Sequence, residues 1–305
     1  MSSVAGVDVA VVGSINHDIT VVTSGLPEPG ETVLGSSHYA GGGGKGANQA
    51  VAAARLGSQV AMVGRVGDDD HGHTLRESLV VEGIDVSGVG LDREVPTGLA
   101  VITVDEHAEN TIVVSPGANA NLFPQHLQKD VVSGAVVVLA QLEVPLDTVI
   151  AATAMCTGMF LLNPAPAPRE ALPAGLMERV DVLIPNRSEL ATLSGGEAPA
   201  GVPDVVAAVS RLGRTGATVV TLGEDGALLV EDGDAHHFPA PDVDPVDPTG
   251  AGDAFCGALA HSLSHGLDLI AAVEVAVIAG AIATTRAGAQ PAMPNSREVE
   301  TFPVR

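Results

Sequence analysis

Aromatic residues are scarce in this sequence of 305 residues, which has no tryptophan, one tyrosine and five phenylalanines. A ligand held by ring stacking, such as a nucleoside or an oligosaccharide, is therefore less well supported than a small ligand held by hydrogen bonds. Cysteine is also scarce, since only Cys156 and Cys256 occur and neither belongs to a CxxC pattern. This usage argues against a disulfide framework, suggests no zinc site and fits a reducing cytoplasm.

Basic residues are few, with 14 Lys and Arg against 37 Asp and Glu and a formal net charge of -23. Such a surface repels nucleic acid phosphates and anionic lipids, so we expect neither nucleic acid nor membrane as a partner. The N-terminus lacks the basic segment of a signal peptide, and its short apolar run predicts a strand. The apolar segment 267–285 contains Asp268 and Glu274, which favours a buried helix over a membrane span.

Apolar β-branched runs alternate with Ala-rich stretches along the chain, and this alternation predicts the fold. The predicted strands are 7–13, 59–64, 135–140, 159–162, 181–184 and 217–222. The predicted helices are 46–56, 70–82, 145–157, 187–194, 204–213, 251–265 and 267–285. We expect an α/β fold with a doubly wound, mostly parallel sheet and helices on both faces. No linker or internal repeat interrupts the pattern, so we expect a single domain over 1–305.

Two stretches, 18–40 and 97–115, depart from this rhythm. Both alternate apolar and polar residues around turn signals, as half-exposed hairpins do. We predict that they form a small β-sheet lid from about 16–42 and 96–115. The exposed edges of such hairpins could pair with a second subunit, which predicts a homodimer.

Polar residues follow the predicted strands, where ligands bind in doubly wound sheets. They are Asn16, Asp18, Glu143, Asn163, Asn186 and the stretch 247–253. Asn16 and Asp18 could bind vicinal hydroxyls, and Glu143 could add an acceptor. A single polar residue of this kind is more typical of an exposed strand end, but the three together predict a pocket that binds a polyol.

The stretch "PTGAGDAF" (248–255) places three small residues at the start of a predicted helix. Gly250, Ala251 and Gly252 leave the unpaired N–H groups of that helix open to an anion. Asp253 follows in the first turn, where it could accept a proton from a substrate hydroxyl. An anion hole beside a base suggests phosphoryl transfer. The alternative is an ordinary glycine-rich turn with Asp as a helix-start residue.

A second glycine cluster, "GGGGKGANQ" (41–49), also leads into a helix. It follows a lid strand, so a dinucleotide-binding fingerprint is weakly supported, and Gly46 stands where a P-loop needs Ser or Thr. We interpret Gly43 and Gly44 as a backbone rim around a small polar ligand, with Lys45 and Asn48 as donors to its hydroxyls. The alternative is a flexible lid hinge with a solvated lysine.

Two further motifs have two interpretations each. Asn186 and Glu189 in "NRSE" fit a capping box or a position near phosphate and Mg²⁺. The stretch "TLGEDG" (221–226) fits a hairpin turn or a backbone edge for a nucleotide, with Thr221, Gly223 and Gly226 at its corners. The ten histidines show no metal-ligand spacing, so we expect no histidine metal site.

These motifs together resemble the ribokinase-like (PfkB-type) carbohydrate kinase family over nearly the whole chain. The resemblance lies in "VVGSINHDITV", "GGKGANQAVAAARLG", "QLEVPL", "NPAPA", "PNRSE", "TLGEDG", "VDPTGAGDAFCGAL" and "TRAGAQPAMP". It implies the ribokinase-like fold with a β lid and ATP-dependent phosphorylation of a sugar, D-ribose at its 5-hydroxyl. Asp253 would be the base, and the backbone of Gly250, Ala251 and Gly252 the anion hole.

The remaining roles are also implied by the resemblance. The sugar-binding positions would be Asn16, Asp18, Gly43, Gly44, Lys45, Asn48 and Glu143. The ATP and Mg²⁺ side would be Asn186, Glu189, Thr221, Gly223, Gly226 and Gly252. A K⁺ site, formed mainly by carbonyl groups, would lie at Asp247, Thr249, Ala283, Arg286, Gly288 and Ala292. Three other functions stay open: a kinase for deoxyribose, fructose or a nucleoside, a non-catalytic sugar sensor, and, least supported, an NAD-dependent oxidoreductase.

Overall fold

The computed structural model of the protein describes residues 6–107 and 110–303. The ends of the expected domain and the tip of the second lid hairpin, at 108 and 109, lie outside these residues. The described strands are β1 (Val9–Val12), β2 (Asn16–Val22), β3 (Ser37–Gly43), β4 (Val60–Gly67), β5 (Asp85–Asp92), β6 (Gly98–Val104), β7 (Asn110–Ser115), β8 (Val137–Ala140), β9 (Met159–Leu162), β10 (Val182–Leu183), β11 (Ala217–Thr221), β12 (Ala227–Glu231) and β13 (Asp234–Phe238).

Ten α-helices connect and cover the described strands. They are α1 (Lys45–Arg55), α2 (Asp70–Val81), α3 (Lys129–Gly134), α4 (Leu146–Met155), α5 (Ala174–Met177), α6 (Arg187–Ser194), α7 (Val202–Arg211), α8 (Ala251–Ser264), α9 (Leu269–Thr284) and α10 (Ser296–Glu300). Every predicted helix is present, with ends within two residues of the prediction. No described helix combines the length and apolar composition that a membrane crossing requires.

The main sheet has the strand order β13-β12-β11-β10-β9-β8-β1-β4-β5. Neighbours from β11 to β5 pair in parallel, and only β12 and β13 pair antiparallel. The prediction of a mostly parallel, doubly wound sheet is confirmed. Strand β5 was missed because Gly88 and Gly90 interrupt its apolar pattern; a Cβ at Gly88 would lie 2.7 Å from the Met62 carbonyl oxygen.

Helices cover both faces of this sheet because its central strands are apolar on both sides. Val9 and Val11 of β1 point into the core formed with α1, α8 and α9. Ala10 and Val12 point into the opposite core, formed with α3, α4 and α5. The strand is therefore buried throughout.

The second sheet is the lid, with the strand order β3-β2-β6-β7. Strands β2 and β3 form one antiparallel hairpin, β6 and β7 form another, and β2 and β6 pair in parallel. All six residues of β7 are exposed. The lid therefore projects from the main sheet with apolar side chains on its surface, including Val113 and Ile112.

The direction in which the chain adds strands reverses at β1. The chain passes from β1 through the lid to β4 on one side, and later returns to place β8 on the other. The residues after β1 and β8, at 13–16 and 141–143, thus lie next to each other. Ligands bind at such a switch point in open α/β sheets.

Candidate active site

Asp253 lies in the first turn of α8, where backbone N–H groups lack partners within the helix. Gly250 caps this end with φ 79°, a left-handed conformation that favours glycine. Ala251 N–H donates to the Pro248 carbonyl oxygen at 3.2 Å, whereas Gly252 and Asp253 N–H donate to no backbone group of the described chain. Because a Cβ added at Gly252 would meet no atom within 4 Å, an anion can approach this helix end.

Two side-chain amides of α1 hold the Asp253 carboxylate. Asn48 Nδ2 donates to Oδ2 at 2.9 Å, and Gln49 Nε2 donates to Oδ1 at 2.9 Å. Both amides reach α8 because the two helices pack closely at Gly257, where a Cβ would lie 2.5 Å from the Cβ of Ala52. Asp253 is 8% exposed, so it is a buried carboxylate in a fixed position.

Glu143 lies between the ends of β1 and β8 and the start of α1. Ser14 Oγ and Lys45 N–H both donate to its Oε2, the second at 3.0 Å. Gly46 N–H donates in turn to Ser14 Oγ at 3.4 Å. Ser14, which follows β1, and Glu143, which follows β8, are thus hydrogen-bonded to each other at the start of α1.

Asn16 and Asp18 lie on β2, where the lid leaves the main sheet. Asn119 Nδ2 donates to Asn16 Oδ1 at 2.7 Å, so the amide of Asn16 presents its own Nδ2 as a donor. A Cβ at Gly43 would lie 1.9 Å from Asp18 Oδ2, and one at Gly44 would lie 2.8 Å from Asn16 N. Glycine at both positions therefore allows the lid and α1 to pack against these two polar residues.

Asp18 is a strongly perturbed carboxyl group. Burial, with the neighbouring carboxylates of Glu143 and Asp253, raises its pKa to about 7. Its Oδ1 and Oδ1 of Asn48 are buried, and neither has a hydrogen-bond partner among the described residues. Unpaired buried acceptors are costly, so these two oxygens mark where a ligand with hydroxyl donors would bind.

A cleft at the carboxyl ends of the parallel strands connects Asp253 with residues distant in sequence. It is lined by Lys45, Asn163, Ala165, Ile184, Asn186, Glu189, Thr221, Gly250, Gly252, Asp253 and Cys256. Asn186 Oδ1 accepts from Glu189 N–H, and Glu189 Oε2 accepts from Asn186 N–H, each at 2.8 Å. Asn186 and Glu189 therefore form the capping box of α6 and also line the cleft.

Lys45 lies among the carboxylates of this cleft. Burial alone would lower the pKa of its ammonium group, but Asp253, Glu143 and Glu189 outweigh burial and raise it. Burial raises the pKa of Glu189 as well. Burial also raises the pKa of the Cys256 thiol well above its usual range, so this thiol stays protonated.

The glycines of the "TLGEDG" stretch lie beside the cleft and not in its lining. Thr221 ends β11 and bridges to Asn186. Gly223 and Gly226 have φ 67° and 88° in the short 3-10 turn that leads into β12. A Cβ at Gly226 would lie 2.0 Å from the Phe238 carbonyl oxygen, so packing against β13 already requires glycine there. The hairpin interpretation thus accounts for this glycine.

Asp247 joins the loop before α8 to the loop after α9. Its Oδ1 accepts from Thr249 N–H at 2.9 Å and its Oδ2 from Gly288 N–H at 2.7 Å. Asp247 N–H donates to the Thr284 carbonyl oxygen at 3.0 Å. Burial alone would raise the pKa of Asp247, but these hydrogen bonds to the carboxylate lower it below its usual value.

The other three residues of the predicted K⁺ site lie in the last turn of α9 and in the segment that follows it. Ala283 is buried in the last turn of α9, and Ala292 is buried in a 3-10 helix. Arg286 forms an ion pair with Glu298. No backbone N–H of the described chain donates to the carbonyl oxygens of Ala283, Arg286 or Gly288, which leaves these oxygens available as ligands.

Comparison with known proteins shows the family to which this chain belongs. The sequence model described as "pfkB family carbohydrate kinase" matches residues 7–296. The chain belongs to the pfkB family of carbohydrate kinases. It is therefore an ATP-dependent sugar kinase.

Individual relatives of this carbohydrate kinase match along almost their whole length. The chain is 35% identical to a ribokinase of Haemophilus influenzae over 299 residues, which covers 96% of the chain and 97% of that protein. It is 38% identical to a deoxyribokinase of Salmonella typhi over 304 residues, covering 97% and 98%. The structure of Arabidopsis thaliana ribokinase complexed with ribose and ATP superimposes with a TM-score of 0.88 at 30% identity, covering 97% and 98%.

Four polar residues that lie at this site were not predicted from the sequence: Ser14, Gln49, Asn119 and Gln141. Gln49 stands out in retrospect, because it and Asn48 are amides among buried residues of α1 that are otherwise Gly, Ala and Val. Gln141 directly follows the buried strand β8. Both are completely buried, and buried amides need partners.

Proposed function

We propose that this kinase is a ribokinase, which transfers the terminal phosphoryl group of ATP to the 5-oxygen of D-ribose. The observation that carries the proposal is the position of Asp253. It is buried, its carboxylate is held by Asn48, and it lies at the helix end that faces the cleft with Lys45 and Glu189. A base beside an anion-binding helix end is what phosphoryl transfer to a hydroxyl requires.

The sugar would bind between the lid and α1. Asp18 Oδ1 and Asn48 Oδ1 are buried acceptors to which no group in 6–107 or 110–303 donates, and hydroxyl groups of the sugar would supply those donors. Asn16 Nδ2 would donate, and Glu143 would add an acceptor. Gly43 and Gly44 give the backbone rim that brings the lid close to the ring.

ATP would occupy the cleft, and its terminal phosphate would approach the start of α8. The N–H groups of Gly252 and Asp253 donate to no backbone group in the described part of the chain and could bind it, and Gly250 and Ala251 complete the helix end. Asn186, Glu189 and Thr221 would lie on the nucleotide side, with Gly223 and Gly226 supplying the adjoining backbone. The capping box uses Oε2 of Glu189 and leaves Oε1, a suitable oxygen for Mg²⁺ or for a water bound to it.

ATP supplies the phosphoryl group, and the residues of this chain handle the proton and the charge. Asp253 accepts the proton as the O5–H bond breaks and O5 forms its new bond to the terminal phosphorus of ATP. The bond from that phosphorus to the bridging oxygen breaks at the same time, so ADP is the leaving group. The free N–H groups at the start of α8 stabilise the charge on the transferred group. Lys45, kept protonated by the surrounding carboxylates, adds a further positive charge.

A monovalent cation would bind beside the anion hole. The donor set fits K⁺, because it combines the Asp247 carboxylate with carbonyl groups of Thr249, Ala283, Arg286, Gly288 and Ala292. Asp247 already ties the two loops together. Binding there would order the loop that leads into α8.

Deoxyribose is a second candidate substrate, favoured by the 38% identity to a deoxyribokinase. Ribose differs from it by one hydroxyl group, which forms a vicinal diol with its neighbour. The unpaired acceptor of Asp18 favours the diol, since a site built to bind a hydroxyl discriminates against the analogue that lacks it. Ribose is therefore our first choice.

We also propose a homodimer formed through the lid and a cytoplasmic location. The exposed apolar residues of β7 support the dimer. Two free cysteines support a reducing compartment.

The test is ATP-dependent phosphorylation of a panel of pentoses, hexoses and nucleosides, with and without K⁺. We expect a clear preference for ribose that increases with K⁺. Activity on deoxyribose or another acceptor alone would replace the substrate and keep the mechanism. Sugar binding without ATP turnover would support the sensor and overturn the proposal.

A further inference from the structure

Gln49 and its buried partners form a hydrogen-bond network behind Asp253. Gln49 Nε2 donates to Asp253 Oδ1 at 2.9 Å and to Asn163 Oδ1 at 3.1 Å. Its Oε1 accepts from Gln141 Nε2 at 2.6 Å. Asn163 Nδ2 donates to the Ile184 carbonyl oxygen at 2.9 Å. These bonds connect α1 and α8 with the ends of β8 and β9.

The network fixes which way the Gln49 amide points. An amide nitrogen has two hydrogens, and both are used, by Asp253 and by Asn163. The Asn163 oxygen must be the acceptor because the nitrogen of the same amide donates to a carbonyl oxygen. The Asp253 carboxylate has no hydrogen to donate, so it excludes the flipped orientation of Gln49, and Gln141 Nε2 donates to the Gln49 oxygen. Neither Gln49 nor Gln141 is exposed, so water does not compete.

We propose that Gln49 is a positioning residue for Asp253, with Gln141 and Asn163 orienting its amide. Gln49 holds Oδ1 from the protein interior, while Asn48 holds Oδ2. The carboxylate therefore keeps one orientation toward the substrate hydroxyl before substrate binds. This inference rests on the proposed role of Asp253 as base and extends it to a residue that is completely buried behind the carboxylate.

The geometry explains why a glutamine is needed at this position. Methionine has a similar length and volume but no donor, so Gln49→Met keeps the packing and removes the hydrogen bond to Asp253. We expect kcat to fall by about 10- to 100-fold, because small misplacements of a catalytic group are costly. The ribose Kd should change by less than about twofold, since Gln49 is completely buried and exposes no surface to a ligand.

A double-mutant cycle tests whether Gln49 acts through Asp253. We would measure kcat and the ribose Kd for wild type, Gln49→Met, Asp253→Asn and the double variant. In the Asp253→Asn background Gln49→Met should lower kcat by less than about twofold. Equal losses in both backgrounds, or a rise in the ribose Kd with kcat unchanged, would overturn the positioning role.

Two further variants distinguish a loss of positioning of Asp253 from a loss of folding. Gln141→Met removes the orienting donor without touching Asp253, and should give a smaller loss of kcat in the same direction. Gln125→Met changes an exposed glutamine and should leave kcat, Kd and Tm unaltered. If Gln141→Met and Gln49→Met lower Tm and leave kcat at the wild-type value, the network is structural only.

An NMR measurement separates this inference from the proposed function. The side-chain amide of Gln49, assigned by its absence in Gln49→Met, should exchange slowly with solvent and shift in Asp253→Asn. An unchanged resonance would refute the link to Asp253 even in an active ribokinase. A shifted resonance in a protein that phosphorylates no sugar would preserve the network and refute the proposed function.

Discussion

Asp18 packs directly against the backbone of Gly43, since a Cβ added at residue 43 would lie 1.9 Å from Oδ2 of Asp18. The two residues belong to adjacent lid strands, β2 and β3. We predict that Gly43→Ala displaces the Asp18 carboxylate and raises the KM for ribose at saturating ATP by about tenfold, which corresponds to about 1.4 kcal/mol.

Gly41→Ala is the matched control for Gly43→Ala. Gly41 lies two residues earlier on the same strand, is exposed, and has no atom within 4 Å of an added Cβ. Its KM for ribose should stay within about twofold of wild type. Gly41 pairs with Asp18 in the strand register, so equal effects of the two substitutions would mean that strand stiffness, and not the clash of a Cβ with the Asp18 carboxylate, determines sugar binding.

Asp253→Asn should bind ribose normally and turn over slowly. The amide cannot accept the proton from the sugar hydroxyl, so we expect kcat to fall by on the order of 10²- to 10⁴-fold. Calorimetry would give the ribose Kd and a coupled assay the turnover. Asp130→Asn, an exposed substitution on α3, is the control. Turnover of Asp253→Asn near that of wild type would remove Asp253 from the role of base.

The raised pKa of Asp18 predicts the pH dependence of sugar use. Below a pH of about 7 the group is protonated and loses acceptor capacity toward hydroxyls. We expect kcat/KM for ribose to rise with pH through about 7 and then level off. In Asp18→Asn this rise should be absent at a lower overall activity. A rise that persists unchanged in the variant would assign it to another group.

The raised pKa of Asp18 also predicts that the stability of the folded protein falls as pH rises, whereas kcat/KM rises. The pKa is 3.8 for an unperturbed Asp and about 7 in the folded protein, so the folded state binds the proton more tightly. This stabilisation is complete below a pH of about 4 and is lost as pH rises through 7. Between pH 5.5 and 8, Asp18→Asn should therefore gain up to about 2 kcal/mol in unfolding free energy relative to wild type. Urea unfolding at the two pH values would measure it.

The fold was largely predictable, because apolar periodicity follows from burial. Residues 9–12 and 135–140 are apolar at every position, which predicts strands of a covered parallel sheet. The proximity of Asp18 and Glu143 was also predictable, since a polar residue that follows an apolar strand is conspicuous. Gln49 was not, because helical periodicity does not tell which buried position faces a carboxylate about 200 residues later in the chain. Asn119 is another such partner, because its contact with Asn16 depends on the packing of the lid.

Asp247 provides a test of the proposed K⁺ site. Asp247→Ala removes the acceptor for Thr249 and Gly288 N–H and a proposed cation ligand. We expect the stimulation by K⁺ to be lost, with kcat reduced by about tenfold or more. Asp244→Ala, an exposed substitution in the same loop, should keep the response. The measurement is initial rate against K⁺ concentration at constant ionic strength, and a K⁺ response retained in Asp247→Ala would contradict the site.

The exposed apolar surface of the lid predicts a dimer, and one charged substitution on that surface should dissociate it. Val113 of β7 is 71% exposed and lies in register with Val101 of β6, which in turn pairs with Ile19 of β2. Cross-strand neighbours share a face, so these three side chains form an apolar row.

Light scattering at micromolar concentration should give twice the chain mass of 30.6 kDa for wild type and the single mass for Val113→Asp. Val81→Asp, at a residue that is 86% exposed on α2, introduces the same charge away from the lid and should remain dimeric. A monomeric wild type, or a monomeric Val81→Asp, would contradict a lid-mediated dimer, because a carboxylate must disrupt the interface only where it is buried against the partner.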